Sequence, residues 1–131
     1  MSTIKVDTLL AADGTTTTAV SIPALDTRFC TAWVNFDGTG TVAIRDSYNV
    51  ASITDIGAGD YTANFAVAMA DVNYSATCSA GRAAAGSGNN TGASIDNTGY
   101  LTTACEFFTT NNAGTPTDAS IIAITVFGGQ A

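Results

Sequence analysis

Between Tyr61 and Met69 the chain alternates without a break: Tyr61, Ala63, Phe65, Val67 and Met69 fall on one side, Thr62, Asn64, Ala66 and Ala68 on the other. A helix would spread these residues around its circumference, whereas an extended chain sends successive side chains to opposite faces, so the pattern predicts a half-buried strand. Similar signals recur along most of the chain. Residues 29–36 are aromatic-rich and stop at Asp37-Gly38-Thr39-Gly40, whose glycines suit a hairpin turn into residues 41–46, where Val42 and Ile44 share a face. Residues 50–56 form a weaker strand ending at Gly57-Ala58-Gly59-Asp60. Residues 73–79 put Tyr74, Ala76 and Cys78 on one face, and residues 100–110 bring Leu101, Ala104, Phe107 and Phe108 to the core. After a turn cluster at 111–118, residues 119–127 are apolar on both faces, as in a strand covered on both sides. No segment of ten or more residues carries a 3.6-residue period. The fold class that follows is all-β: an antiparallel β-sandwich or jelly-roll-like body, in which facing sheets bury the apolar side of each strand.

The first 27 residues differ from the rest. Ile4, Val6, Leu9 and Leu10 form a short apolar patch, with Lys5 and Asp7 on the opposite side of an extended segment from Ile4 and Val6. Ala12-Asp13-Gly14 ends the patch. The run Thr15 to Thr18 favours extended backbone through its branched Cβ atoms, and Pro23 removes a donor and disfavours helix. Two readings fit, a first strand of the body or an extended arm tied down against something else. The organisation adopted is an arm over residues 1–27 and a sandwich body over residues 28–131, within the size of one ordinary domain.

Composition removes whole classes of function. Charged residues make up 11% of the chain, against a usual share of about 25%. The net charge is −7, and Lys5, Arg28, Arg45 and Arg82 are scattered singly, so the basic cluster that neutralises phosphates is missing and nucleic acid is not an expected partner. Anionic membranes would repel the chain, and no apolar run approaches the roughly 20 residues that span a bilayer, so membrane insertion is not expected. The opening MSTIKVDTLLAADG carries Asp7 inside its apolar stretch and does not read as a signal peptide. Cys30, Cys78 and Cys105 are odd in number and widely spaced, which predicts reduced, buried thiols and synthesis in a reducing cytoplasm.

Histidine is absent, and Lys5 and Glu106 are the lone members of their types. Without a base beside them the many serines and threonines are not activated nucleophiles, so no catalytic residue is assigned. Zinc lacks histidine, and no DxDxDG spacing marks a calcium loop, so neither a metal nor a cofactor is expected. Asp37, Asp46, Asp55, Asp60, Asp71 and Asp118 sit beside turns, where a carboxylate bonds backbone N–H groups nearby; this accounts for them better than a glycosidase pair does. The glycine motifs DGTG, GAGD and GSGNNTG lead into strands, not helices, and are turns, not phosphate cradles. Residues 79–98 are the least hydrophobic stretch and read as a long exposed loop. Arg82, Asn89, Asn90 and Asn97 there are the candidate host-contact residues, able to hydrogen-bond carbohydrate or protein.

With these residues laid out, a resemblance emerges. The stretch Ala32-Trp33-Val34-Asn35-Phe36-Asp37-Gly38-Thr39-Gly40-Thr41-Val42-Ala43-Ile44-Arg45 resembles a module of tail-fibre and other virion proteins of tailed bacteriophages, the marine and cyanobacterial ones above all. Its continuation through Ser47-Tyr48-Asn49-Val50, Gly59-Asp60-Tyr61-Thr62 and Asn73-Tyr74 is similar, as are the close at Thr117-Asp118-Ala119 with Val126-Phe127-Gly128 and the opening Ser2-Thr3-Ile4-Lys5-Val6. Ala70 stands where the family often has proline, and residues 79–98 have no counterpart. The resemblance implies a non-enzymatic virion structural protein, made in the host cytoplasm and carried on the particle. Its partners would be other tail or capsid proteins and further copies of itself, a trimer by preference; a host-surface glycan bound through residues 79–98 is a separate expectation from the polar loop, which the resemblance does not support. The roles it leaves open are a short tail fibre, a head fibre and a capsid decoration protein; a host-surface adhesin is the alternative that the polar loop offers. On this reading Ile4, Val6, Leu9 and Leu10 are the attachment residues, docking in an apolar groove or adding a strand to a neighbour.

Overall fold

The structure, a computed structural model, describes residues 29–81 and 92–129. Among these residues there are eight strands and no helix: β1 (Cys30–Asp37), β2 (Ala43–Tyr48), β3 (Val50–Gly57), β4 (Asp60–Phe65), β5 (Ser75–Gly81), β6 (Gly92–Tyr100), β7 (Ala104–Thr110) and β8 (Ile121–Phe127). They form two four-stranded sheets with orders β2-β1-β8-β5 and β3-β4-β7-β6, antiparallel at every pairing. The sheets pack face to face as a β-sandwich. The buried set joins Ala32, Val34 and Phe36 of β1 and Ile122, Ile124 and Val126 of β8 to Tyr61, Ala63 and Phe65 of β4 and Cys105 and Phe107 of β7. At its centre Phe36 meets Tyr61 and Phe107 edge-on, with ring centroids 5.3 and 5.9 Å away, and Tyr61 stacks on Phe107 at 5.8 Å. Those arrangements suit the aromatic quadrupole and add to what area burial alone contributes.

The strand read over 61–69 turns out shorter. Alternation holds through Phe65, after which the chain bends at Ala66 and Val67, leaving Val67 70% exposed while Met69 returns to the core at 5%. The cause is distant in sequence: Asn49 accepts a hydrogen bond from the Val67 amide on its side chain, at 2.7 Å, and its carbonyl takes the Ala66 amide at 3.2 Å. The segment 100–110 is likewise two elements. A tight reversal at 101–103, closed by the Leu101 amide on the Ala104 carbonyl at 3.0 Å, separates β6 from β7 and leaves Leu101 exposed, not in the core. Ala104 and Phe107 are buried as expected, while Phe108 points to the outer face opposite Asp60.

The loop read over 79–98 is corrected at both ends. Ser79–Gly81 continue β5, paired with β8 without a register shift, and β6 takes up residues 92–98, pairing with β7 from Gly92 to Ile95 before the register shifts ahead of Tyr100. Ile95 of β6 packs against the core, giving this strand an apolar anchor among its glycines and polar residues. In β8 only one face is covered among the described residues: Ile122, Ile124 and Val126 are buried, whereas Ile121 and Phe127 lie exposed on the outer side. Ile44 of β2 is also partly exposed, at 38%, and Val42 precedes the strand and packs on the core edge.

All three cysteines are free; Cys105 is buried, while Cys30 and Cys78 are half-buried. Burial pushes the Cys78 thiol up to about 12, helped by neighbouring Cys105, and burial pushes Cys105 itself up to about 11. Because the thiolate is the nucleophile, iodoacetamide at pH 8 should label both at least about a hundredfold more slowly in the native protein than after denaturation. Peptide mass spectrometry after timed labelling checks this; rapid native labelling of either would contradict the buried placement.

Candidate functional site

The sandwich has two unlike ends. At the end where β1 finishes, three turns are knotted together. The Tyr61 hydroxyl lies 2.8 Å from Asp118 Oδ1 and 3.1 Å from the Gly38 carbonyl. The same Asp118 oxygen accepts the Gly59 amide at 2.7 Å, and the Gly38 amide donates to the Ala119 carbonyl at 3.0 Å. Thr109 completes the knot, its amide on the Gly59 carbonyl at 2.7 Å and its hydroxyl on the Thr117 carbonyl at 2.6 Å. Desolvation, with the Asp118 carboxylate beside it, raises the Tyr61 phenol well above its ordinary value, which keeps it a neutral donor. A Cβ on Gly38 would meet the Tyr61 hydroxyl oxygen, so glycine is required there by space. Close by, Asp37 caps its own turn, accepting Thr39 N at 2.9 Å and Thr39 Oγ1 at 2.7 Å, and pairs with Arg45 at 2.9 Å. Those Thr39 hydrogen bonds, and then Arg45, hold the Asp37 carboxyl below the usual carboxylate range.

At the opposite end, where β1 begins, lies an apolar groove of about 480 Å³ lined by Thr31, Tyr48, Asn49, Ala66, Val67, Ala68, Met69 and Gly129. None of the described lining residues is charged. Asn49 builds it: held at φ 52°, a conformation asparagine tolerates better than most residues, it turns the chain from β2 into β3. Its side-chain amide donates to the Thr31 and Val67 carbonyls at 3.2 Å each and accepts the Val67 amide, so its hydrogen-bonding capacity is used in fixing the walls. The Ala70 amide on the Gly129 carbonyl at 2.7 Å and the Met69 amide on the Thr102 carbonyl at 2.7 Å hold the floor. The lining is mostly apolar, with the Tyr48 ring and the Ala66 to Met69 segment in it, a surface suited to apolar side chains. Tyr48 also stands opposite Trp33 in the β1–β2 register, linking the groove to the outer face of that sheet.

A second concavity of about 280 Å³ contains Asp60, Asp96, Glu106 and Phe108. No group of three or more His, Cys, Asp or Glu residues that could hold a metal ion occurs among the described residues. The chain matches no protein family, and no curated protein or solved structure is significantly similar to it.

Of the residues singled out from the sequence, Ile4, Val6, Leu9 and Leu10 lie outside the described residues, as do Arg82, Asn89 and Asn90. Asn97 is described: it is exposed in β6, between Asp96 and Thr98, whose amide and hydroxyl both bond the Asp96 carboxylate at 2.7 and 2.6 Å. Asn97 thus lies in the stretch of β6 between Ile95 and Tyr100, where the pairing with β7 is interrupted, and it is the one host-contact candidate among the described residues. Trp33 and Tyr48 were legible as aromatics, but the groove beside Tyr48 was not, because its walls come from four separate stretches of chain.

Proposed function

We propose that this chain is a non-enzymatic structural protein of a tailed bacteriophage virion, a short tail-fibre or head-fibre-like appendage. Residues 1–27 form its attachment arm, and the sandwich projects from the particle. The observation that carries this reading is the use made of the module-like motifs. Gly38, Gly59, Tyr61, Asp118 and Ala119 meet in one knot, where their polar groups bond one another and hold three turns in register. A motif used in this way maintains a shape; a catalytic one would leave its donors and acceptors aimed at a substrate.

Deleting residues 1–18 should abolish incorporation into particles while leaving circular dichroism and the urea midpoint of the body unchanged. Normal incorporation of the truncated protein would remove the arm from the account. Trimeric assembly belongs to the same proposal, read from the mass of the full-length protein in solution.

A further inference from the structure

We propose that the end groove receives the apolar residues Ile4, Val6, Leu9 and Leu10 of a second copy of this chain. The inference rests on the reading of residues 1–27 as an attachment arm and names the surface that accepts it. Three observations favour it. Among the described residues the groove is uncharged and mostly apolar, matching a patch whose charged neighbours Lys5 and Asp7 fall on the other side of an extended segment. The described chain begins at Phe29, two residues before the groove-lining Thr31, so the arm leaves the body at the groove's own rim. Reach then selects the donor. Residues 11–28, rich in threonine and containing Pro23, span up to about 60 Å when extended. The eight-residue β1 spans only about 27 Å. An extended arm thus carries its patch beyond its own body, and a reversal at Asp13-Gly14 would return the patch along the arm, short of the groove. Each copy has one arm and one groove, so the contact is head-to-tail and closes into a ring when the rotation permits.

The test uses the full-length chain in analytical ultracentrifugation. Val67→Asp places a carboxylate in the groove at an exposed side chain, and Ala68→Trp fills the groove without adding charge. Leu9→Asp combined with Leu10→Asp spoils the arm. Each variant should retain the native circular dichroism and self-associate at least about tenfold more weakly than the unmodified protein, as expected when a central apolar contact is removed. An equimolar mixture of the Val67→Asp protein and the arm variant should recover a one-to-one complex, since one sound arm and one sound groove remain. Association unchanged in the variants, failure of the mixture to recover, or an unmodified protein that stays monomeric would each overturn the inference. Particle incorporation separates it from the broader reading: an arm variant that self-associates normally yet fails to incorporate would sink the groove contact and leave the attachment arm in place, whereas one that self-associates weakly yet incorporates normally would remove the attachment role and leave the groove contact.

Discussion

Phe107→Ala should lower the stability of the body by about 3–5 kcal/mol, the range for truncating a fully buried phenylalanine. Phe107 has no solvent exposure and packs between Phe36 and Tyr61, which come from opposite sheets. Removing its ring takes away the transfer free energy and leaves a cavity that two large, constrained neighbours cannot fill. Domains of this size are stable by about 5–15 kcal/mol in total, so the loss is a large fraction of the whole. Phe108→Ala is the internal control: one residue on, it faces outward opposite Asp60, and its truncation should cost about 1 kcal/mol, near the central value for point substitutions. Urea titrations give both values, and equal losses at the two positions would mean that the register of β7 is wrong.

Gly59→Ala is the second large effect, expected to cost about 2–5 kcal/mol from two sources. Gly59 sits at φ +71°, where a side chain is disfavoured by about 1–2 kcal/mol. A Cβ there would also meet the Thr109 carbonyl oxygen and the Thr117 amide nitrogen, both backbone atoms of the knot and unable to swing aside as a side-chain tip can. Two neighbouring glycines separate the contributions. Gly40 shares the positive φ, at +65°, but has open space where the Cβ would go, so Gly40→Ala should show the conformational cost alone. Gly57 has open space and no such φ, and alanine there should be close to neutral. The order Gly59, Gly40, Gly57 in thermal melts is the expected result; a mild Gly59→Ala would show that the knot yields.

What was readable in the sequence follows from how locally each feature is determined. The period of two marked β4 and the buried face of β5, aromatic and β-branched content marked β1 and β8, and a glycine turn placed the β1–β2 hairpin, because strand faces and turn conformations are set by neighbouring residues. The break after Phe65 was illegible: Ala66-Val67-Ala68 holds no turn residue, and the bend comes from Asn49, far back in the sequence. β6 was misread for a related reason. Its glycine and asparagine content argues for loop, yet a strand is stabilised by what it pairs with and packs on, here β7 and the Ile95 anchor. The knot was half legible. Its members stood out as motif residues, but nothing local couples Tyr61 to Asp118 across the chain. The groove required the folded arrangement, since Thr31, Asn49, Met69 and Gly129 become neighbours only when β1, β3, β4 and β8 are in place.

Quantitative mass spectrometry of gradient-purified particles tests the central claim most directly. The account predicts this polypeptide at a fixed, symmetry-compatible copy number relative to the major capsid or tail protein, retained through high-salt washing. Its absence from washed particles, with the protein left free in the lysate, would contradict it.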